Sequence, residues 1–197
     1  MYLAFDTETT DLPRPHLDLT HPAQPHLLQF AGIVFDDEGN ELERMFTLVK
    51  PGTGAHLSGK AFETHGISLE QAFHLGMEPR SLLTWFQTRA RQATAIVGHN
   101  VNFDVQIMSI LCARQTGQAW KPSRPVFCTM THATPILNLP ATAKMRAAGR
   151  FHPKSPSLSE CIDHFFGERL PGAHDAVTDV RACIRVYRYL TRANIPA

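Results

Sequence analysis

The sequence lacks any strong charge imbalance: nineteen Lys and Arg stand against eighteen Asp and Glu, a formal charge of +1 over 197 residues. No overall field would capture a long polyanion nonspecifically, so any nucleic acid held here must be held locally, over a few nucleotides. Cysteine is sparse. Cys112, Cys128, Cys161 and Cys183 form no CxxC pair and lie mostly in apolar-periodic segments, where a thiol behaves as a small hydrophobe. That usage points to a reducing, cytoplasmic setting. No stretch approaches the roughly 18 uninterrupted apolar residues of a membrane span. A strand-like run follows Met1 directly, which leaves no basic and apolar leader for secretion. Internal repeats and low-complexity tracts are also missing. With 43% hydrophobic residues the chain can bury a substantial core, and its length fits one domain over 1–197.

Residues 1–6 and 27–36 read as buried strands, and 41–50 alternates apolar and polar residues after the turn at 37–40, which makes it a hairpin partner. Between the first two strands lies a segment rich in proline and histidine, 11–26. It is too interrupted for helix or central strand and is expected to be a loop over one edge of the first motif, flexible filler in preference to a cover for the site or a contact for an incoming strand. Helices are predicted near 57–64, from Ser68, over 80–92 with Leu82, Leu83, Phe86 and Ala90 on one stripe, and over 103–114. Short strands at 95–97 and 126–128 separate them. Helices at 129–137, 158–166 and 175–191 complete the chain, the last with Ala176, Val180, Cys183, Ile184, Tyr187 and Leu190 at helical spacing. The segment 139–157, with Lys144, Arg146, Arg150 and Lys154, reads as a second long loop and the one local basic cluster. This order makes an α/β fold with a mixed five-stranded sheet flanked by helices.

The chemistry-bearing residues sit at three separated places. In AFDTETT, Asp6 and Glu8 are two apart on a strand and so share a face. Thr7, Thr9 and Thr10 add hydroxyls and exposed backbone donors near a scissile phosphate. In GHNVNFD, Asn100 or Asn102 is a candidate N-cap and Asp104 falls in the first helical turn, where the dipole favours an anion. Ordinary dipole pairing would account for that aspartate alone. In HDAVTD, Asp175 is a candidate N-cap, so Asp179 lies early in the last helix while His174 stays in the loop before it. Five helical residues would separate His174 and Asp179 by about 140°, so the two can converge only if His174 is off the helix. Carboxylates that do not neutralise one another need divalent cations to offset their repulsion. Magnesium takes oxygen ligands of this kind, and an imidazole can deprotonate water near neutral pH.

Asp-x-Glu ending a first strand, Asn-x3-Asp opening a middle helix and His-x4-Asp opening the last one resemble the DEDDh subgroup of the DnaQ-like 3′–5′ exonucleases, the proofreading type of bacterial DNA polymerase III. Thr64-His65-Gly66-Ile67 is similar to the family's HGI turn, and the likeness runs over nearly the whole chain. It implies an RNase H-like sandwich in which Asp6, Glu8, Asp104 and Asp179 hold two Mg²⁺ or Mn²⁺ ions. It also implies His174 as general base and release of nucleoside 5′-monophosphates from DNA 3′ ends, most simply single-stranded. Thr9, Leu12, His65 and Phe103 would then grip the terminal nucleotide. A DNA polymerase is a possible partner, and no membrane is implied. The family often has glycine where this chain has Asp11, which puts the shape of that turn in question. Three alternatives stay open: an exoribonuclease or oligoribonuclease-like enzyme of the same superfamily, a catalytically silent accessory module, and a structural protein with acidic surface loops.

Overall fold

The computed structural model describes residues 1–170 and 176–192. Its centre is a five-stranded mixed sheet in the order β3-β2-β1-β4-β5. Here β1 is Tyr2–Thr9, β2 Leu27–Phe35, β3 Glu41–Leu48, β4 Ile96–Gly98 and β5 Val126–Cys128. The hairpin strands β2 and β3 run antiparallel to their neighbours, whereas β4 pairs parallel to β1 and β5 parallel to β4. Strand β1 runs three residues past the expected end at Asp6. Its β-branched threonines suit a pleated backbone, and β2 pairs with it as far as Thr9, opposite Leu27.

Alternation along β1 divides the core. Leu3 and Phe5 face helices α3 (Pro79–Gln92) and α4 (Val101–Thr116) in a cluster with Phe30, Leu82, Phe86, Ile96, Ile107 and Met108. Ala4 faces the opposite side, where Ala31, Ile33, Phe35 and Val97 meet Ala176, Val180, Cys183 and Ile184 of the last helix. Helices α1 (Gly59–His65) and α2 (Leu69–Leu75) follow β3; α5 (Thr129–Leu137), α6 (Ala143–Ala147) and α7 (Leu158–Phe166) lie between β5 and α8 (Ala176–Arg192). The Leu82, Leu83, Phe86 and Ala90 stripe is buried as its spacing predicts. In α4 Val101, Ile107, Met108, Ile110, Leu111, Cys112 and Ala113 are buried, so the helix is covered over most of its surface. Helix α6 was not foreseen. Five residues are too short to carry a periodicity, and Thr142, whose hydroxyl accepts from the Met145 amide, is its main local signal. No helix among the described residues is long and apolar enough to cross a membrane.

The 11–26 segment departs from the expectation of a flexible loop. Gln24, only 2% exposed, donates to the carbonyls of Arg14 and Leu17 and accepts from the Arg14 amide. Arg114 of α4 donates to the carbonyls of Pro25 at 2.7 Å, Gln24 at 2.8 Å and His21 at 3.1 Å. One amide and one guanidinium thus satisfy several backbone groups of the segment, a demand that proline content does not reveal. Gln24→Ala leaves those groups unpaired and is expected to cost about 2–3 kcal/mol. Urea unfolding checks the loss, and proteolysis concentrated within 11–26 would show that it is local.

Candidate active site

Three elements of the fold deliver the acidic groups to the same end of the sheet. Asp6 and Glu8 lie on the face of β1 that carries Ala4, toward α8, and α8 brings Asp179 in its first turn. Salt bridges from Arg181 to Glu41 and from Arg185 to Glu168 hold that helix in place. Asp104 comes from the other face, in the first turn of α4. The link from β4 to α4 is tight: Gly98 ends the strand, Asn100 takes a left-handed conformation at φ 62, and Val101 starts the helix. A side chain at residue 98 would strike Val101, with a Cβ only 2.6 Å from its Cγ2. Asn100 is therefore the N-cap position through its tolerance of αL, and its side chain makes no capping bond. The helix begins two residues before Phe103, which places Asp104 one turn in.

The carboxylates perturb one another. Burial and the nearby charge of Asp179 push Asp6 up to about 7, against a backbone hydrogen bond at Thr7 that favours its ionised form. Burial, Asp6 and Asp179 push Glu8 up to about 8. Asp104, 2% exposed, is raised well above the usual carboxylate range by burial and by Asp6. Asp6 is the hub of this mutual repulsion. His174 and Asp175 lie outside the described residues.

Thr7 has a role that the sequence did not disclose. Its hydroxyl donates to Asp104 Oδ1 at 2.7 Å across the strand, and this buried pair fixes the aspartate on the side away from α8. The signal available was only a β-branched polar residue between two acids. All three threonines of the motif are buried, and each of their hydroxyls has a partner within the protein. Thr9 donates to the Asp11 carbonyl at 2.8 Å, and Thr10 accepts from the His26 amide at 2.9 Å. Thr7→Val keeps shape and removes the bond. It is expected to raise the divalent-ion concentration needed for half-maximal activity by about tenfold, the value of one hydrogen bond to a charged group, as a metal titration at fixed substrate would show.

The four expected nucleotide contacts are distributed as follows. His65 accepts from the Ile67 amide at Nδ1, which leaves its Nε2 proton to the Thr9 carbonyl at 3.1 Å. Both ring nitrogens are therefore spent on the backbone, and the imidazole ties the turn, with Gly66 at φ 69, to the end of β1. Leu12 is 65% exposed beside that end. Phe103 is half-buried against the α3–α4 core. Thr9 is enclosed. Asp11, where a glycine was expected, has no positive φ, and its carboxylate accepts from the Leu12 amide. The turn needs no glycine.

Among the described residues, no three His, Cys, Asp or Glu side chains are closed into a metal cage. The donor set nonetheless fits hard divalent ions. Mg²⁺ keeps several waters and binds through one or two carboxylates plus substrate phosphate, so a preformed cage is not its usual site. Carboxylates raised by one another are those a cation relieves. A separate cleft of about 980 Å³, lined by His26, Lys50, Phe73, Ile110 and Arg114, contains none of the four acids. Its cations already have partners: Lys50 pairs with Glu78 at 2.6 Å, and Arg114 holds the 11–26 loop.

A profile of the Exonuclease (RNase_T) family matches residues 3–187. No curated protein is a significant match in sequence. Escherichia coli exonuclease I in complex with a dA16 oligonucleotide is similar in structure, with a TM-score of 0.70 and 22% identity over 98% of this chain and 41% of that one. The dT13 complex of the same enzyme gives a TM-score of 0.69 and 22% identity over 96% and 40%. The zinc-ion-bound form of its complex with single-stranded DNA gives 0.68 and 22% over 99% and 41%. At that identity the likeness shows the fold, an RNase H-like α/β sandwich. The chain spans about two fifths of the length of exonuclease I.

Proposed function

The chain belongs to the Exonuclease family, and from that premise we propose that it is a DnaQ-like 3′–5′ exonuclease of the DEDDh subgroup, acting as one domain over 1–197. Asp6, Glu8, Asp104 and Asp179 would hold two Mg²⁺ or Mn²⁺ ions, which supply Lewis acidity toward phosphate oxygens and make water easier to deprotonate. The observation that carries this reading is electrostatic: β1, α4 and α8 bring acids close enough that Asp6 feels both Asp104 and Asp179.

The residues of the chain have distinct tasks. Thr7 holds Asp104 in register with Asp6. His65 fixes the carbonyl of Thr9 and with it the turn under the terminal sugar. Exposed Leu12 and half-buried Phe103, which immediately precedes Asp104, would offer apolar surface to a terminal base. His174 takes the proton of the attacking water, and water attack on the last phosphodiester leaves a nucleoside 5′-monophosphate and a shortened 3′-hydroxyl end. Single-stranded DNA is the proposed substrate. The similarity to exonuclease I, which binds dA16 and dT13 oligonucleotides in those complexes, supports it.

Matched 5′-labelled and 3′-labelled DNA and RNA 20-mers, incubated with Mn²⁺ or with EDTA, test the proposal. Metal-dependent shortening from the 3′ end of DNA is expected. Stepwise digestion of RNA alone would make it an exoribonuclease, and no cleavage of either polymer would leave only a binding role.

A further inference from the structure

The near-neutral total hides a polarised molecule. All eighteen acidic residues lie outside Val105–Ser159, a stretch that carries Lys121, Arg124, Lys144, Arg146, Arg150 and Lys154 as well as Arg114. Several of these cations are occupied: Arg114 by loop carbonyls, Arg124 by the Arg91 carbonyl, and Lys154 by Glu160. Lys144, Arg146 and Arg150 are exposed and form no salt bridge with an acid among the described residues. Beside them Phe151 is 76% exposed, more than any other large apolar side chain described.

These groups share one ordered lobe. The Lys154 amide donates to the Leu139 carbonyl at 3.0 Å and closes its base. Within it α6 is capped by Thr142, the Arg146 guanidinium bonds the Ala141 carbonyl, and Gly149 turns at φ 71 so that the Arg150 amide returns to Met145 at 2.9 Å. Phe151 is thus presented from a hydrogen-bonded turn. The lobe is also tied to the acidic site. The carbonyl of buried Pro156 bonds His99 Nε2 at 3.1 Å, and His99 is the residue between Gly98 of β4 and the Asn100 turn that aims Asp104. Its other nitrogen meets the Thr129 hydroxyl at 2.9 Å.

We propose that the 139–154 lobe binds the single-stranded nucleic acid trailing 5′ of the scissile nucleotide, with Phe151 stacking on a base and Lys144, Arg146 and Arg150 meeting phosphates. A neighbouring aromatic and exposed cations without acidic partners are what a strand with exposed bases recognises, whereas a phosphate-only contact would not use the ring. This rests on the exonuclease reading for the direction of the strand. It adds a second contact region whose use depends on substrate length.

The test compares the full-length protein with Phe151→Ala and with the triple variant Lys144→Ser, Arg146→Ser, Arg150→Ser. Binding of fluorescent dT20 is measured in EDTA at several salt concentrations, and hydrolysis of dT20 and of a dT dinucleotide in Mn²⁺. Phe151→Ala is expected to weaken dT20 binding roughly tenfold. The triple variant should reduce the slope of log affinity against log salt by about 2, at ~0.7 per single-strand phosphate contact. Dinucleotide hydrolysis should stay at the wild-type rate in both. Unchanged dT20 binding in both variants, with wild-type protein binding and cleaving normally, would overturn the lobe assignment alone and leave the patch to a protein partner. Equal loss on the dinucleotide would also overturn it. Wild-type protein that binds dT20 through the lobe without cleaving any substrate would sink the exonuclease reading and keep the lobe.

Discussion

Asp6→Asn is expected to lower kcat/KM on a single-stranded oligonucleotide by at least about a thousandfold, some 4 kcal/mol of transition-state stabilisation. The size follows from the position of Asp6 rather than from its presence in a motif. It interacts with acids delivered from both faces of the sheet, Asp104 from α4 and Asp179 from α8. Neutralising it weakens any cation shared between those faces. The amide is isosteric, and removing the charge relieves Glu8, which Asp6 and Asp179 push up. The metal-free variant should therefore melt no lower than wild type at pH 8. A variant that is inactive and also melts many degrees lower in EDTA would assign Asp6 a structural role and remove the inference.

Glu8→Gln offers a graded companion. Glu8 is more open and interacts with Asp6 and Asp179 but not with Asp104. Its loss should be smaller on the same assay.

What could be read from the sequence depended on the range of the interaction involved. Strand and helix positions with regular burial, such as the Leu82–Ala90 stripe or the alternation through Leu3, Ala4 and Phe5, follow from local periodicity. The three acidic motifs also stood out, because several carboxylates are costly to converge and their spacing assigned each to a strand or a helix start. Long-range hydrogen bonds left no such trace. Thr7 reaches Asp104 across 97 positions, and Arg114 reaches Pro25 across 89. Residue type alone disclosed neither bond. Likewise 11–26 looked structureless because its prolines forbid helix and central strand, while its order comes from Gln24 and Arg114. His99 is a comparable case: a histidine immediately after a strand glycine was visible, but its bonds to Thr129 and Pro156 link segments 30 and 57 positions away.

Metal-free stability should fall as pH rises from about 5 to 8, and Mn²⁺ should restore it most at the upper end. In the folded protein Asp6 titrates near 7 and Glu8 near 8, against ordinary values of 3.8 and 4.5. Below about pH 4 these groups are protonated in both states and cost nothing. As pH rises through that point the unfolded chain ionises while the folded site retains its protons, so the unfolded state binds fewer protons and folding loses stability. The full penalty is present once pH passes the folded values. His26 works the other way: burial and Arg114 lower it to about 4, so its contribution is present above its ordinary value of 6.5 and is lost as pH falls toward 4. The difference between wild type and Glu8→Gln at each pH removes that background and should widen between pH 5 and 8. Divalent ions bind the deprotonated carboxylates, so their affinity should climb over the same window. A hundredfold excess over Kd contributes about 2.7 kcal/mol, roughly 5–10 °C in Tm for a chain of this size. Thermal melts at pH 5.5 and 8, with EDTA or Mn²⁺, measure both effects. A Tm gain from Mn²⁺ that is equal at the two pH values, or that survives in Asp6→Asn, would place the bound ion away from these carboxylates.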